Sequence, residues 1–251
     1  MISQIILLKT FFIFIILLTT LASGAYPLLK KIRSPSCCDF PIGEALSAGV
    51  FLGAGLLHML SDATHSFAKQ GYDYPFAFLL AGLMFLLLLL FEHIGREIYQ
   101  HNKESAFAVL AMIMLAVHSF FAGAALGVSD SFVVTIIIAI AILAHKWAAG
   151  FALSIQLSKS HLSTKLSVVL FIIFSLMVPL GVMFGQVMLL AVPFNQLIEP
   201  IVMSLSAGTF LYLGTLHGLN RAVMVAHCCD LKQFNFVIFG FLIMAAVAIW
   251  T

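Results

Sequence analysis

Charge is scarce in this chain. Asp, Glu, Lys and Arg together make up 9% of its 251 residues, while hydrophobic residues make up 63%. No soluble domain needs that much apolar sequence. The net charge is only +2, and no basic patch with interleaved aromatics suggests nucleic acid. Cysteine is limited to four residues in two adjacent pairs, Cys37-Cys38 and Cys228-Cys229, which is no disulfide framework by spacing. No nucleophile triad, phosphate loop or haem motif occurs. What the chain does have is repeated apolar runs of about twenty residues, the length that crosses a bilayer as a helix.

Eight such runs can be drawn: Ile5–Leu29, Gly43–Ala63, Pro75–Ile94, Ser105–Val128, Phe132–Leu157, Ser167–Val192, Ile201–Leu219 and Phe234–Trp250. Short connections join them, so residues 1–251 read as one membrane domain without a soluble appendage. Inside lipid the backbone must satisfy its own hydrogen bonds, so the runs are read as helices and the fold class as all-α. The first run has an alternative. Lys9, the apolar stretch from Phe11 to Leu21 and Ser23-Gly24-Ala25 together resemble a signal peptide. A retained helix is preferred, because the apolar stretch resumes to Leu29 and ends at Lys30, Lys31 and Arg33, a stop-transfer pattern.

Basic residues set the expected orientation. With the N-terminus outside, the cytoplasmic connections hold Lys30, Lys31, Arg33, Arg96, Lys103, Lys159, Lys165, Arg221 and Lys232, and the outer ones hold only Lys69. That asymmetry satisfies the positive-inside rule. Eight spans return the C-terminus to the outside and place both cysteine pairs in the cytoplasm, where thiols stay reduced.

The stretch from His118 to Leu153 carries a repeated template, H-x-x-x-A-G-x-A-L, once as HSFFAGAAL and once as HKWAAGFAL. His118 matches His145, Ala122 matches Ala149, and Gly123 matches Gly150. Histidine is costly in a span and normally faces a bundle interior or a pathway. Small residues one turn on let helices approach closely. Neutral imidazole is a common metal ligand and suits zinc, so a metal site between two paired helices is the first hypothesis. Interhelical hydrogen bonding is the bland alternative. Lys146 follows His145 directly; helix neighbours diverge by about 100°, so it need not face the same cavity.

Other constellations are weaker. His58 and Asp62 stand at i, i+4 in the second run and can share an ion, although Asp62 also reads as a solvated helix end. His217, with Asn220 three residues on, sits near the inner end of the seventh run and is either a pathway or an interfacial residue. Glu92 and His93 read as a solvated end of the third run. Pro179, Gly181 and Gly185 punctuate the sixth run, either as an interrupted helix lining a cavity or as a packing kink. Two cysteine pairs brought together could make a soft thiolate site, or serve as palmitoylation sites.

At these residues the chain resembles the ZIP (Zrt/Irt-like) metal transporters. GVFLGAGLLHMLSDA resembles their second helix, HSFFAGAALGV the fourth, HKWAAGFAL the fifth, VPLGVMFGQ the sixth, AGTFLYLGTLHGL the seventh and FGFLIMAAVAIW the eighth. The resemblance covers nearly the whole chain in the right order. It implies eight helices arranged as three, a central pair and three, with an inverted repeat and both ends outside. It also implies a transport site in the central pair, elevator-like motion of one bundle against another, and a homodimer in the bilayer of the cell membrane. The cargo it implies is zinc, or in some members iron, manganese or cadmium, moving into the cytoplasm.

The chain departs from the family pattern where its carboxylates stand. The acidic residue of the fourth helix falls at Ala122, that of the fifth at Ala149, and that of the seventh at His217. His118, Ser119 and His145 carry over by match; the bridging carboxylates do not. The expected site is single, weaker and imidazole-rich, with His118 and His145 as core ligands and Ser119, His58, Asp62 and His217 as auxiliary ligands or stations. Other readings are a transport-inactive relative that senses metal or regulates a partner, and a transporter of another cargo. An enzyme using the histidines as catalytic-metal ligands is disfavoured, because no acidic general base stands near them.

Overall fold

The computed structural model describes residues 2–33, 40–98, 103–191, 197–216 and 231–250. Both cysteine pairs, His101, His217 and Asn220 lie outside the described residues. Almost all of the described residues are helical. We number the helices α1 (Ile2–Arg33), α2 (Pro41–Lys69), α3 (Phe76–Ile98), α4 (Lys103–Val128), α5 (Phe132–Lys159), α6 (Thr164–Ala191), α7 (Ile198–Tyr212) and α8 (Leu231–Val247). Among the described residues α1 to α6 are long and apolar enough to cross a membrane, and α8 is a shorter apolar helix of 17 residues. Helix α2 starts with Pro41 and carries Glu44 in its first turn, choices that suit the unpaired N–H groups there. Midway it widens into a π-helical turn, Ala54–Met59. Helix α7 continues into a second π-helical stretch at 213–216.

Five helix pairs pack most extensively: α4 with α6, α1 with α5, α2 with α8, α2 with α7, and α3 with α7. Exchanging α1 with α6, α2 with α7, α3 with α8 and α4 with α5 maps α1–α5 onto α6–α4 and α2–α8 onto α7–α3. It also maps one π-helical stretch onto the other. That pairing is the one an inverted repeat requires. It divides the molecule into two bundles, α1/α4/α5/α6 and α2/α3/α7/α8.

Small residues seal each pair, because water-driven burial gives no force between helices in lipid and close van der Waals packing must serve. Along α4–α6, a Cβ on Gly123 would stand 2.3 Å from the Val178 carbonyl oxygen, and one on Gly181 would stand 2.0 Å from that of Phe120. Gly49 of α2 approaches the Val237 carbonyl of α8 in the same way. The sixth run is therefore not an interrupted helix. Helix α6 is continuous through Pro179, and Gly181 and Gly185 form its seam with α4. Helix α1 is packed as a bundle helix along α5 and α6. Its buried Lys9 donates from Nζ to the Gly127 carbonyl at 2.6 Å, at the negative end of α4. Large apolar side chains such as Leu7, Phe14, Phe78, Leu83, Met183 and Phe239 remain on the outside, where lipid would cover them.

The seam makes a direct prediction. Gly181→Ala should lower the melting temperature of the purified protein, with a loss of about 1–3 kcal/mol from overpacking against backbone. Gly82→Ala should be neutral or slightly stabilising, since a Cβ there meets nothing within 4 Å. Equal effects would contradict the seam.

Candidate functional site

One cavity of about 440 Å³ enters the molecule between the two bundles. Each of four helices gives it one stripe at helical spacing. Helix α2 contributes His58, Met59, Asp62, His65, Ser66 and Lys69, and α4 contributes His118, Phe121, Ala122, Ala125 and Val128. Helix α5 contributes residues from Val134 to His145, and α7 contributes Ile198, Glu199, Val202, Met203 and Ser206. The mouth lies where α2 and α4 end and α5 and α7 begin; we call this the Lys69 end and its opposite the Lys159 end. No residue of α6 lines the cavity.

The histidines stand at its base. His118 Nε2 and His145 Nε2 face each other at 3.5 Å, and both residues are buried. Two nitrogens bound to one tetrahedral zinc at about 2.0–2.1 Å lie about 3.3–3.4 Å apart. The pair therefore already holds nearly the spacing of two ligands of one ion. The His58 ring lies 6.4 Å from that of His145, centroid to centroid. His58 Nδ1 approaches the Asp62 carboxylate at 2.9 Å, an ion-pair contact out of hydrogen-bond alignment. Below the histidines Phe210 closes the base, its ring 4.7 Å from that of His118 and 5.5 Å from that of His145. Phe51 backs it at 5.0 Å.

Ser119 does not face this cavity. Its hydroxyl accepts a 2.6 Å hydrogen bond from Lys146 Nζ, which also lies 3.7 Å above the Phe174 ring. Lys146 is buried, and its Nζ is held by a hydroxyl and an aromatic face on the side away from the cavity. Among the described residues no group of three or more His, Cys, Asp and Glu side chains is gathered tightly enough to hold a metal. A cation at the base would rest on His118 and His145, with water completing its shell unless His58 swings in.

The two template alanines part company. Helices α4 and α5 run antiparallel, so one turn C-terminal to the histidine leads toward the mouth on α4 and away from it on α5. Ala122 accordingly lines the cavity, whereas Ala149 is packed in the core beyond the histidines, 2% exposed. Of the two template alanines, only Ala122 borders the cavity.

Several lining residues escaped the sequence reading. His65 and Lys69 continue the α2 stripe seven and eleven residues beyond His58, and extending that period would have found them. Glu199 precedes the apolar run of α7, outside the stretch expected to span. Burial first, and then the Asp62 carboxylate, push its carboxyl above the ordinary range, against the opposite pull of Lys69.

A blind cavity between two symmetry-matched helix bundles, with imidazoles at its base, is the architecture of a multi-pass membrane transporter. The description "ZIP Zinc transporter" matches residues 6–109 and 102–248, and the chain belongs to that family. It is 25% identical to human zinc transporter ZIP2, over 99% of each chain. It is also 26% identical to mouse zinc transporter ZIP2, over 81% of this chain and 83% of that one. Zinc transporter 11 of Arabidopsis thaliana is 28% identical over 94% of this chain and 83% of its own.

The split between the alanines is testable. In metal-free buffer Ala149→Glu should cost about 3 kcal/mol or more, since its carboxylate enters a dry core, while Ala122→Glu should change the melt little. Ala122→Glu should bind zinc tighter than the parent and with steeper pH dependence, because both imidazole and carboxylate must shed protons to ligate. A zinc titration at two pH values, beside thermal melts, measures both. Unchanged zinc affinity in a folded Ala122→Glu protein would remove Ala122 from the metal path.

Proposed function

We propose that this protein carries zinc across the cell membrane toward the cytoplasm, with His118 and His145 as the ligands of the transported ion. The 3.5 Å facing of their Nε2 atoms at the base of an open cavity carries this reading. Asp62 stands 2.9 Å from His58 Nδ1, and a small turn of the ring would align it as the carboxylate that orients a histidine ligand through Nε2. Asp62, His65 and Glu199 form an entry that attracts and partly dehydrates the ion, and His217 remains a proposed auxiliary ligand or station. Iron, manganese and cadmium are secondary cargoes; an imidazole pair without carboxylate favours zinc and cadmium over manganese.

The basic residues support the direction. Lys30, Lys159, Lys165 and Lys232 gather at the end opposite the mouth, so the cavity faces outward with both termini outside. The histidines belong to the α1/α4/α5/α6 bundle, whereas His58 and Phe210 belong to the other. Sliding the first bundle against the second would carry the ion past Phe210 and expose it at the Lys159 end. The homodimer usual in the family is the proposed assembly.

Zinc uptake into proteoliposomes tests this. The parent protein should accumulate zinc, and His118→Ala or His145→Ala should reduce uptake at least tenfold while leaving the protein folded. Zinc binding without uptake would support the metal-sensing alternative, and full uptake by the double alanine variant would overturn the site.

A further inference from the structure

Beyond the histidines, toward the Lys159 end, a second cavity of about 30 Å³ remains. Phe51, Leu115, Leu153 and Leu213 close it on the side of the histidines, and Glu44, Ser47 and Gln156 give it oxygen. Its volume is enough for one water molecule or one small ion. Ser47 is 1% exposed, and its Oγ has no hydrogen-bond partner. An orphan hydroxyl in so small a space is an unused ligand. Glu44 stands beside it, 11% exposed, and its Oε1 receives Lys159 Nζ at 2.5 Å.

The place of that ion pair matters. Glu44 starts α2 and Lys159 ends α5, so the pair joins the two bundles. The Lys146–Ser119, Lys9–Gly127 and Ser158–Pro27 hydrogen bonds lie within one bundle, and Tyr212–Glu92 lies within the other. A carboxylate this deep needs a positive partner. Lys159 supplies one on a long flexible stem that can also reach the solvent at its helix end.

We propose that Glu44, Ser47 and Gln156 form a second divalent-cation site, whose place is held by the Lys159 ammonium until an ion arrives. The ion takes the Glu44 carboxylate, the Ser47 hydroxyl oxygen and the Gln156 amide oxygen, and water completes its shell. Lys159 swings outward, and Glu44 keeps a positive partner throughout the exchange. The set is all oxygen, so it suits harder divalent ions than the imidazole pair does. A borderline metal ion passing from nitrogen to oxygen ligands is held less tightly, which favours release. Binding at Glu44 stands by itself; its place as the ion's second stop rests on the transport reading above.

Manganese(II) binding to the purified full-length chain, followed by the loss of the free-ion electron paramagnetic resonance signal, is the test. The background carries His118→Ala and His145→Ala, so that the first site is silent. Adding Lys159→Met should create one manganese site per chain, at least tenfold tighter than in the background alone. Adding Glu44→Gln should abolish it, and Ser47→Ala should weaken it severalfold. Lys159→Gln, which keeps a polar end, replaces the methionine variant if that one does not fold. Equal manganese binding with and without Glu44→Gln would overturn the second site while leaving the histidine pair untouched. Failure of zinc to bind the wild-type histidines would equally leave this site standing.

Discussion

On α4, a Cβ at Gly127 would stand 2.4 Å from the Val182 carbonyl oxygen of α6; on α6, a Cβ at Gly185 would stand 2.3 Å from the Ala124 carbonyl of α4. Backbones this close leave no room for side chains between them. In lipid, where apolar surface gains little by leaving its surroundings, such contact is what holds two helices together. The α4–α6 seam and its counterpart along α1–α5 make one bundle, and those of α2–α8 and α3–α7 make the other. What lies between the bundles is then free to be a cavity, because neither bundle depends on filling it.

That division places the chemistry. His118 and His145 come from the central pair and meet at the base of the cavity, closed beneath by Phe210. The ionisable groups of the mouth, Asp62, His65, Lys69 and Glu199, stand above them. The Lys146 amine is turned away from the cavity, onto Ser119 and the Phe174 ring. Alanine stands one turn from each histidine, at Ala122 and Ala149, so the base of this cavity offers imidazole to a cation and no negative charge. The nearest acidic groups lie along the entrance rather than at the bottom.

The bundle itself was readable from apolar runs. The fourth run, Ser105–Val128, coincides with the span observed. Runs missed what mattered at the mouth, for one physical reason. The second was drawn to Ala63, yet α2 continues to Lys69, and the omitted turns carry His65, Ser66 and Lys69 on the cavity face. The seventh was drawn from Ile201, yet α7 begins at Ile198 and includes Glu199. A helix that lines a wet cavity is polar there, so a search for apolarity trims the residues that do the lining. The repeated template singled out His118 and His145, whose Nε2 atoms face each other at 3.5 Å, but it read both copies in the same chain direction. Antiparallel helices send the equivalent alanines to opposite sides of the histidine layer, which a linear alignment does not display. Pro179 and its glycines gave a true signal of close packing that was open to reading as a cavity wall.

The proposed transport site holds one ion between two imidazoles. Diffraction from zinc-loaded protein, with anomalous scattering recorded at the zinc edge, tests it directly. The expected result is a single strong peak at about 2.0–2.1 Å from both His118 Nε2 and His145 Nε2. A peak at Asp62, His65 or Glu199 with nothing between the two histidines would contradict it.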